Sequence, residues 1–249
     1  TLHELCKTTK VRCNDMVNNF DNTNGICVNT KDDVLRERFI YGAELVGKYG
    51  FPQLPPINAS ADGLRPVPFN SASKEKHPAD CLCHFFIDDN LFERLWNNPQ
   101  KYFDMLKNFK YIAGVDFSFY DDMPVALQIY QVYRSRALSW WLTLNGMDVI
   151  PVVGWGSADT YDFCFDGLPM HSTLIARTNR CFMDAGKNCY IAGFREMIRR
   201  LDPLRVLVVG RLIETGTEET TEIIYLDSFG QELTQKLRGR KDGEQIRNE

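Results

Sequence analysis

Two short apolar runs on either side of one long helical period set the terms for this chain. Residues 111–117 (YIAGVDF) and 149–154 (VIPVVG) are almost wholly apolar, as strands are when both faces are covered. Between them Ala126, Ile129, Tyr133, Ala137, Trp140 and Leu144 recur at three- and four-residue steps and predict an inward helical face. Asp121, Asp122 and Pro124 introduce that helix, and Gly146 stops it. Strand, helix, strand in this order is a βαβ unit, which calls for parallel strands and a right-handed crossover.

The same alternation extends in both directions. Strands are predicted at 81–89, 172–177, 205–209 and 222–226, with helical stretches at 90–106 and 189–201. The fold class expected is therefore α/β, with repeated βα units and a mostly parallel sheet that is partly barrel-like. An open doubly wound sheet is the alternative. Residues 32–49 also read as a helix, since Val34, Leu35, Phe39, Ala43 and Val46 share a face. Residues 51–79 hold Pro52, Pro55, Pro56, Pro66 and Pro68, which excludes a continuous helix and suits a linker or an ordered arm. The expected organisation is an N-terminal helical and Pro-rich arm packed on the core (1–80), an α/β domain (81–234) and a charged flexible tail (235–249).

Ligands of parallel α/β folds bind at the carboxyl ends of the strands. The residues expected there are Asp88 and Asp89, Asp116 and Ser118, Trp155, Asn179, and Arg211. Asp88 and Asp116 end consecutive strands. Paired carboxylates of this kind hold a hard cation such as Mg²⁺ or Mn²⁺, or take a proton from water, so both are candidate catalytic and metal-binding residues. Asp89, Ser118, Trp155, Asn179 and Arg211 are candidate ligand contacts. Trp155 suits stacking on a base or sugar, or closing the core, and Arg211 suits a phosphate. Helix capping and turn formation are the bland alternative for the aspartates. Arg134 and Arg136 fall mid-helix and are expected on the surface.

Several chemistries lack their signature. There is no glycine-rich phosphate loop and no GxSxG elbow. His77, Cys81, Cys83 and His84 form a His/Cys cluster, but on a strand Cys81 and Cys83 face one way and His84 the other, which disfavours zinc.

The motifs His84-Phe85-Phe86-Ile87-Asp88-Asp89, Asp116-Phe117-Ser118, Arg134-Ser135-Arg136, Val149-Ile150-Pro151 and Phe163-Cys164-Phe165-Asp166-Gly167 resemble an uncharacterised family of phages, plasmids and gut bacteria. The resemblance runs from about residue 51 to 211. Two places depart from its pattern: Gly114-Val115, where Thr-Pro is usual, and Thr178-Asn179-Arg180, where a glycine-containing turn is usual. The resemblance implies a mobile-element protein acting inside a bacterium, and it implies no activity.

Residues 111–170 contain seven Asp against Arg134 and Arg136, which makes this stretch more acidic than the whole chain at -4. No run approaches the roughly 18 apolar residues of a membrane span, and residues 1–13 show no leader-like apolar core. A cytoplasmic protein with reduced cysteines and no membrane contact is expected. Two readings of function stay open. One is the binding, with or without metal-dependent hydrolysis, of a phosphate-bearing ligand (a nucleotide or nucleic-acid end). The other is a non-enzymatic phage protein that binds a host or defence protein through its acidic central module.

Overall fold

The computed structural model describes residues 33, 35–178, 184–217 and 220–226. The tail at 235–249 and the first 32 residues lie outside the described residues. The first described elements are a 3-10 turn (Glu37–Ile40) and an antiparallel hairpin, β1 (Leu45–Val46) and β2 (Phe51–Pro52). The helix expected over 32–49 is thus replaced after one turn. Gly42 and Gly47 take positive φ, and a side chain at Gly47 would run into the Asp166 carboxylate, so the chain turns where the apolar period alone would continue it.

Next come β3 (Arg65–Pro68), β4 (Cys81–His84), α1 (Glu93–Asn97), α2 (Phe103–Leu106) and β5 (Tyr111–Ala113). They are followed by α3 (Val125–Leu144), β6 (Val149–Ile150), β7 (Thr173–Arg177), α4 (Asp184–Leu201), β8 (Arg205–Val209) and β9 (Glu222–Leu226). β3 was not expected, because it is built from the Pro-rich stretch. It is an edge strand paired only with β4, so Pro66 and Pro68 remove no hydrogen bond that a second neighbour would need.

Strands β3 to β6 form one parallel sheet and β7 to β9 another. A parallel bridge between Val152 and Ile175 joins them, with Val153 N–H donating to Ile175 O (2.9 Å) and Ile175 N–H to Pro151 O (3.0 Å). The result is a seven-stranded succession in chain order with no reversal. A doubly wound sheet reverses direction at a switch point, so this order excludes that alternative. The expected α/β class with a mostly parallel sheet holds, and among the described residues no barrel closes, since β3 and β9 are not paired.

Burial follows from this order. Leu82, Ala113, Ile150, Val152, Ile175, Leu207 and Val209 share one cluster on the inner face. Cys83, Ile112, Val115, Leu138 and Trp141 belong to a second cluster between sheet and helices. Leu174, Ala176, Phe194, Met197 and Val208 belong to a third, beneath α4. The alternation of Leu174 and Ala176 with Ile175 is the two-residue period of a strand dividing its side chains between the two faces.

The Pro-rich segment packs on the amino ends of β7 and β8. Thr173 N–H donates to Ile57 O (2.7 Å), Ala59 N–H to Thr173 Oγ1 (3.0 Å), and Arg205 Nη1 to Ala59 O (2.7 Å). With those ends covered, the carboxyl ends remain for a site.

α3 lies with a different face inward from the one expected. Gln128, Val132, Arg134, Ser135, Arg136, Ser139, Trp141 and Leu142 are buried, whereas Leu144 is exposed. Both arginines predicted on the surface are interior. Polar side chains hold this helix to the mouth, so its buried stripe is not its apolar stripe.

Candidate functional site

The carboxyl end of β5 leads into Asp116, which is 8 % exposed. The turn of chain before it is fixed from α3. Val115 N–H donates to Ser139 Oγ (3.1 Å), and Ser135 Oγ donates to Val115 O (2.5 Å). Gly114 precedes them, and a methyl group there would stand 2.8 Å from Val152 N. The glycine therefore permits the close approach of the β5 and β6 extensions.

Asp116 is flanked by cations. Arg177 Nε, from the last residue of β7, lies 2.8 Å from Asp116 Oδ2. The approach is off the line that a hydrogen bond needs, and buried Oδ2 is left with no hydrogen-bond partner. Burial raises the Asp116 pKa, the Arg177 charge opposes that, the Asp89 charge adds to it and Arg136 opposes it. Arg136 is itself buried and reaches three main-chain oxygens: Asp166 O (3.0 Å), Cys164 O (2.8 Å) and Val152 O (3.3 Å). Burial lowers its pKa to about 10, so the cation persists at neutral pH. Arg134 stacks over Phe117, 3.8 Å from the ring centre, and pairs with Glu93.

A cavity of about 400 Å³ opens over Asp116 and Arg177. Phe119, Tyr120, Trp155 and Tyr190 supply its aromatic lining, with Asp121 and Cys189 among its polar residues. Trp155 is held from α4: a methyl group at Gly193 would stand 2.2 Å from the indole, and Tyr190 lies 5.4 Å from it centre to centre. Trp155 therefore closes the core and lines the cavity at once. Asp121 Oδ1 accepts from Ser157 N–H (2.8 Å), tying the β5 loop to the β6 loop. Burial, then the Asp121 charge, raises the Cys189 thiol, which keeps it protonated at neutral pH.

The other predicted residues lie apart from this cavity. Asp89 accepts from Ser118 N–H at both carboxylate oxygens (3.2 and 3.0 Å), and Gln131 Nε2 donates to Ser118 O (2.9 Å). That bonding closes a loop. Asp88, Asp89 and Ser118 line a neighbouring cavity of about 340 Å³. Asp88 and Asp116 thus share no cavity. Arg211 is exposed beyond β8 and does not line the cavity, and Asn179 lies outside the described residues. Among the described residues, no three metal-ligating side chains gather in one place. Sequence reasoning missed Arg177, Tyr190 and Asp121. Arg177 had a readable signal: it continues the inward positions Thr173 and Ile175 to the strand's carboxyl end.

Relatives can be set beside this geometry. The chain is 38% identical over 141 residues to the Gene 1 protein of Mycobacterium phage L5, covering 56% of this chain and 62% of that protein. It is 35% identical over 130 residues to the Gene 1 protein of Mycobacterium phage D29, covering 52% of this chain and 48% of that one. The match spans about half to three-fifths of these relatives. No solved structure matches the chain. No helix among the described residues is long and apolar enough to cross a membrane. The model of one family covers residues 43–227, which takes in β1 through β9 and the whole cavity, and the chain belongs to that family, the Domain of unknown function (DUF4417).

Proposed function

We propose that the cavity over Asp116 binds a phosphate-bearing ligand of nucleotide size and hydrolyses it inside a bacterial host. The observation that carries this reading is a buried carboxylate with an unsatisfied oxygen, set against a part-exposed arginine in an aromatic-walled cavity. Such a group stays underbonded at a cost of about 1–3 kcal/mol, which is tolerated where a ligand supplies the missing partner. Arg177 pairs with phosphate oxygens, the aromatic wall takes a planar base, and Asp116 either holds Mg²⁺ or Mn²⁺ or takes the proton of an attacking water. A thermal-shift panel of nucleotides with and without Mg²⁺ tests it. The expectation is a shift for wild type that is lost in Arg177→Ala. No shift with any nucleotide, under either condition, refutes the reading.

A second reading rests on the exposed start of α3. Val125, Leu127 and Tyr130 are exposed there, and Tyr120, Asp121 and Asp122 are exposed just before it. Exposed apolar side chains among carboxylates suit a host protein with a basic, apolar contact surface. Host proteins captured by wild type but not by a Leu127→Asp, Asp122→Lys variant support it. Equal capture by both sinks it.

A further inference from the structure

Four carboxylates and one guanidinium line the two neighbouring cavities of the mouth. Asp116 and Asp121 line the larger with Arg177, and Asp88 and Asp89 line the smaller. A polyphosphate entering alone would meet more negative charge than positive. A nucleic-acid strand would fare worse, because strand-binding grooves carry a basic track for the backbone and, among the described residues, these two cavities are lined by a single cation. Yet the underbonded Asp116 Oδ2 beside Arg177 calls for a cation or donor, and the aromatic wall calls for a planar ring.

One ligand class reconciles these demands. We infer that the site takes a free nucleoside di- or triphosphate already chelated to a divalent cation. This rests on the cavity reading above and narrows it. Mg²⁺ is commonly held by one or two protein carboxylates together with substrate phosphates, without a protein cage. The lack of a three-residue metal cluster among the described residues then follows, because the nucleotide brings the remaining ligands. The Asp116 carboxylate completes the cation's shell, Arg177 pairs with a phosphate oxygen the cation leaves free, and the acidic rim rejects longer anionic strands. The cavity of about 400 Å³ lies at the small end of the roughly 300–1,000 Å³ usual for ligand sites, which suits a mononucleotide.

The test uses the full chain and four additions: Mg²⁺ alone, a nucleotide (ATP or GTP) with EDTA, the same nucleotide with Mg²⁺, and a 5′-phosphorylated oligonucleotide with Mg²⁺. The expected result is a melting rise of about 5–10 °C for a metal–nucleotide complex at a hundredfold excess over its Kd. Metal alone, free nucleotide and the oligonucleotide should each give under a fifth of that. Manganese supplies a second readout that needs no variant: its paramagnetic resonance spectrum should change on adding protein only when nucleotide is present. Asp116→Asn should weaken binding at least tenfold and leave the remainder indifferent to Mg²⁺. A full shift with free nucleotide, tight binding of metal alone, or an oligonucleotide bound as well as the mononucleotide each overturns the inference while leaving the cavity reading intact. No shift in any arm overturns both.

Discussion

Asp116 and Arg177 meet at 2.8 Å across the ends of two strands that are not neighbours in the sheet, with the β6 extension between them. The pair does not rescue Asp116 from its burial. Its carboxyl stays above the ordinary carboxylate range because desolvation outweighs the arginine. A folded-state pKa above the unfolded one means that the folded form binds more protons in that window, so stability falls as pH rises through it. The penalty is full only above the folded-state pKa. Asp116→Asn is expected to be more stable than wild type at pH 7 by on the order of 1 kcal/mol, the scale of an underbonded buried group. The gain should shrink on acidification through the carboxylate range. Urea unfolding of both proteins at pH 7 and pH 4 checks it, and a loss of stability at pH 7 contradicts it.

Arg136 is the opposite case, a buried cation that the fold needs. Its three carbonyl partners come from the β6 extension and the 164–166 turn, so one side chain ties α3 to two loops of the mouth. Arg136→Met keeps much of the volume and leaves those oxygens without donors. The expected cost is about 3–5 kcal/mol, seen as a lower urea midpoint with an unchanged slope. A cost below about 1 kcal/mol would mean that water replaces the guanidinium.

His84 predicts an acid sensitivity of its own. The imidazole is buried at the end of β4, stacks on Phe86 and accepts the Phe86 N–H at Nδ1 (3.2 Å). Burial lowers its pKa to about 3, so the folded protein holds it neutral. The unfolded chain protonates at the ordinary pKa of about 6.5. The stability this contributes is full above that value and is lost as pH falls towards the folded pKa, by about 2–4 kcal/mol at pH 4. In His84→Asn the side-chain oxygen can replace Nδ1 as acceptor. The acid limb of its stability profile should flatten by that amount, and an unchanged limb would remove His84 as the cause.

The contrast between α3 and the strands explains what the sequence made legible. Strands β4 to β8 are apolar because both of their faces are covered, so composition alone marks them. α3 was found at its true length, ended by Gly146, but its inward face was misjudged. Apolar periodicity locates a buried face only where burial is apolar, and here Arg134, Ser135, Arg136 and Ser139 face inward to hydrogen-bond or stack on the mouth. β3 was hidden by prolines that an edge strand tolerates. In the site, Asp116 and Trp155 were legible as strand-end residues. Asp89 and Ser118 were legible too, but they bond each other, a pairing that depends on how two loops cross in space. Arg177 was less legible because it is the last inward position of β7 and not a residue just past the strand.

The last prediction concerns the wall of the cavity. Gly193 lies on the buried side of α4 with the Trp155 indole against it, and a methyl group there would come within 2.2 Å of the ring. Glycine costs helix stability relative to alanine by roughly 0.5–1 kcal/mol, so on an open surface Gly193→Ala would stabilise α4. Here the overlap must be relieved by moving Trp155. The ring is bounded by Tyr190, Phe194 and Phe165, which leaves the cavity as its free direction. Gly193→Ala is therefore expected to lose about 1–3 kcal/mol of stability through overpacking and to shift tryptophan fluorescence. If the cavity takes a nucleotide as proposed, the displaced indole should also weaken its binding at least tenfold by filling part of the cavity. A smaller residue at position 155 relieves the clash: the double variant Trp155→Leu, Gly193→Ala should recover most of the lost stability without recovering binding. Stability and binding recovering together would show that the indole's contribution is packing alone.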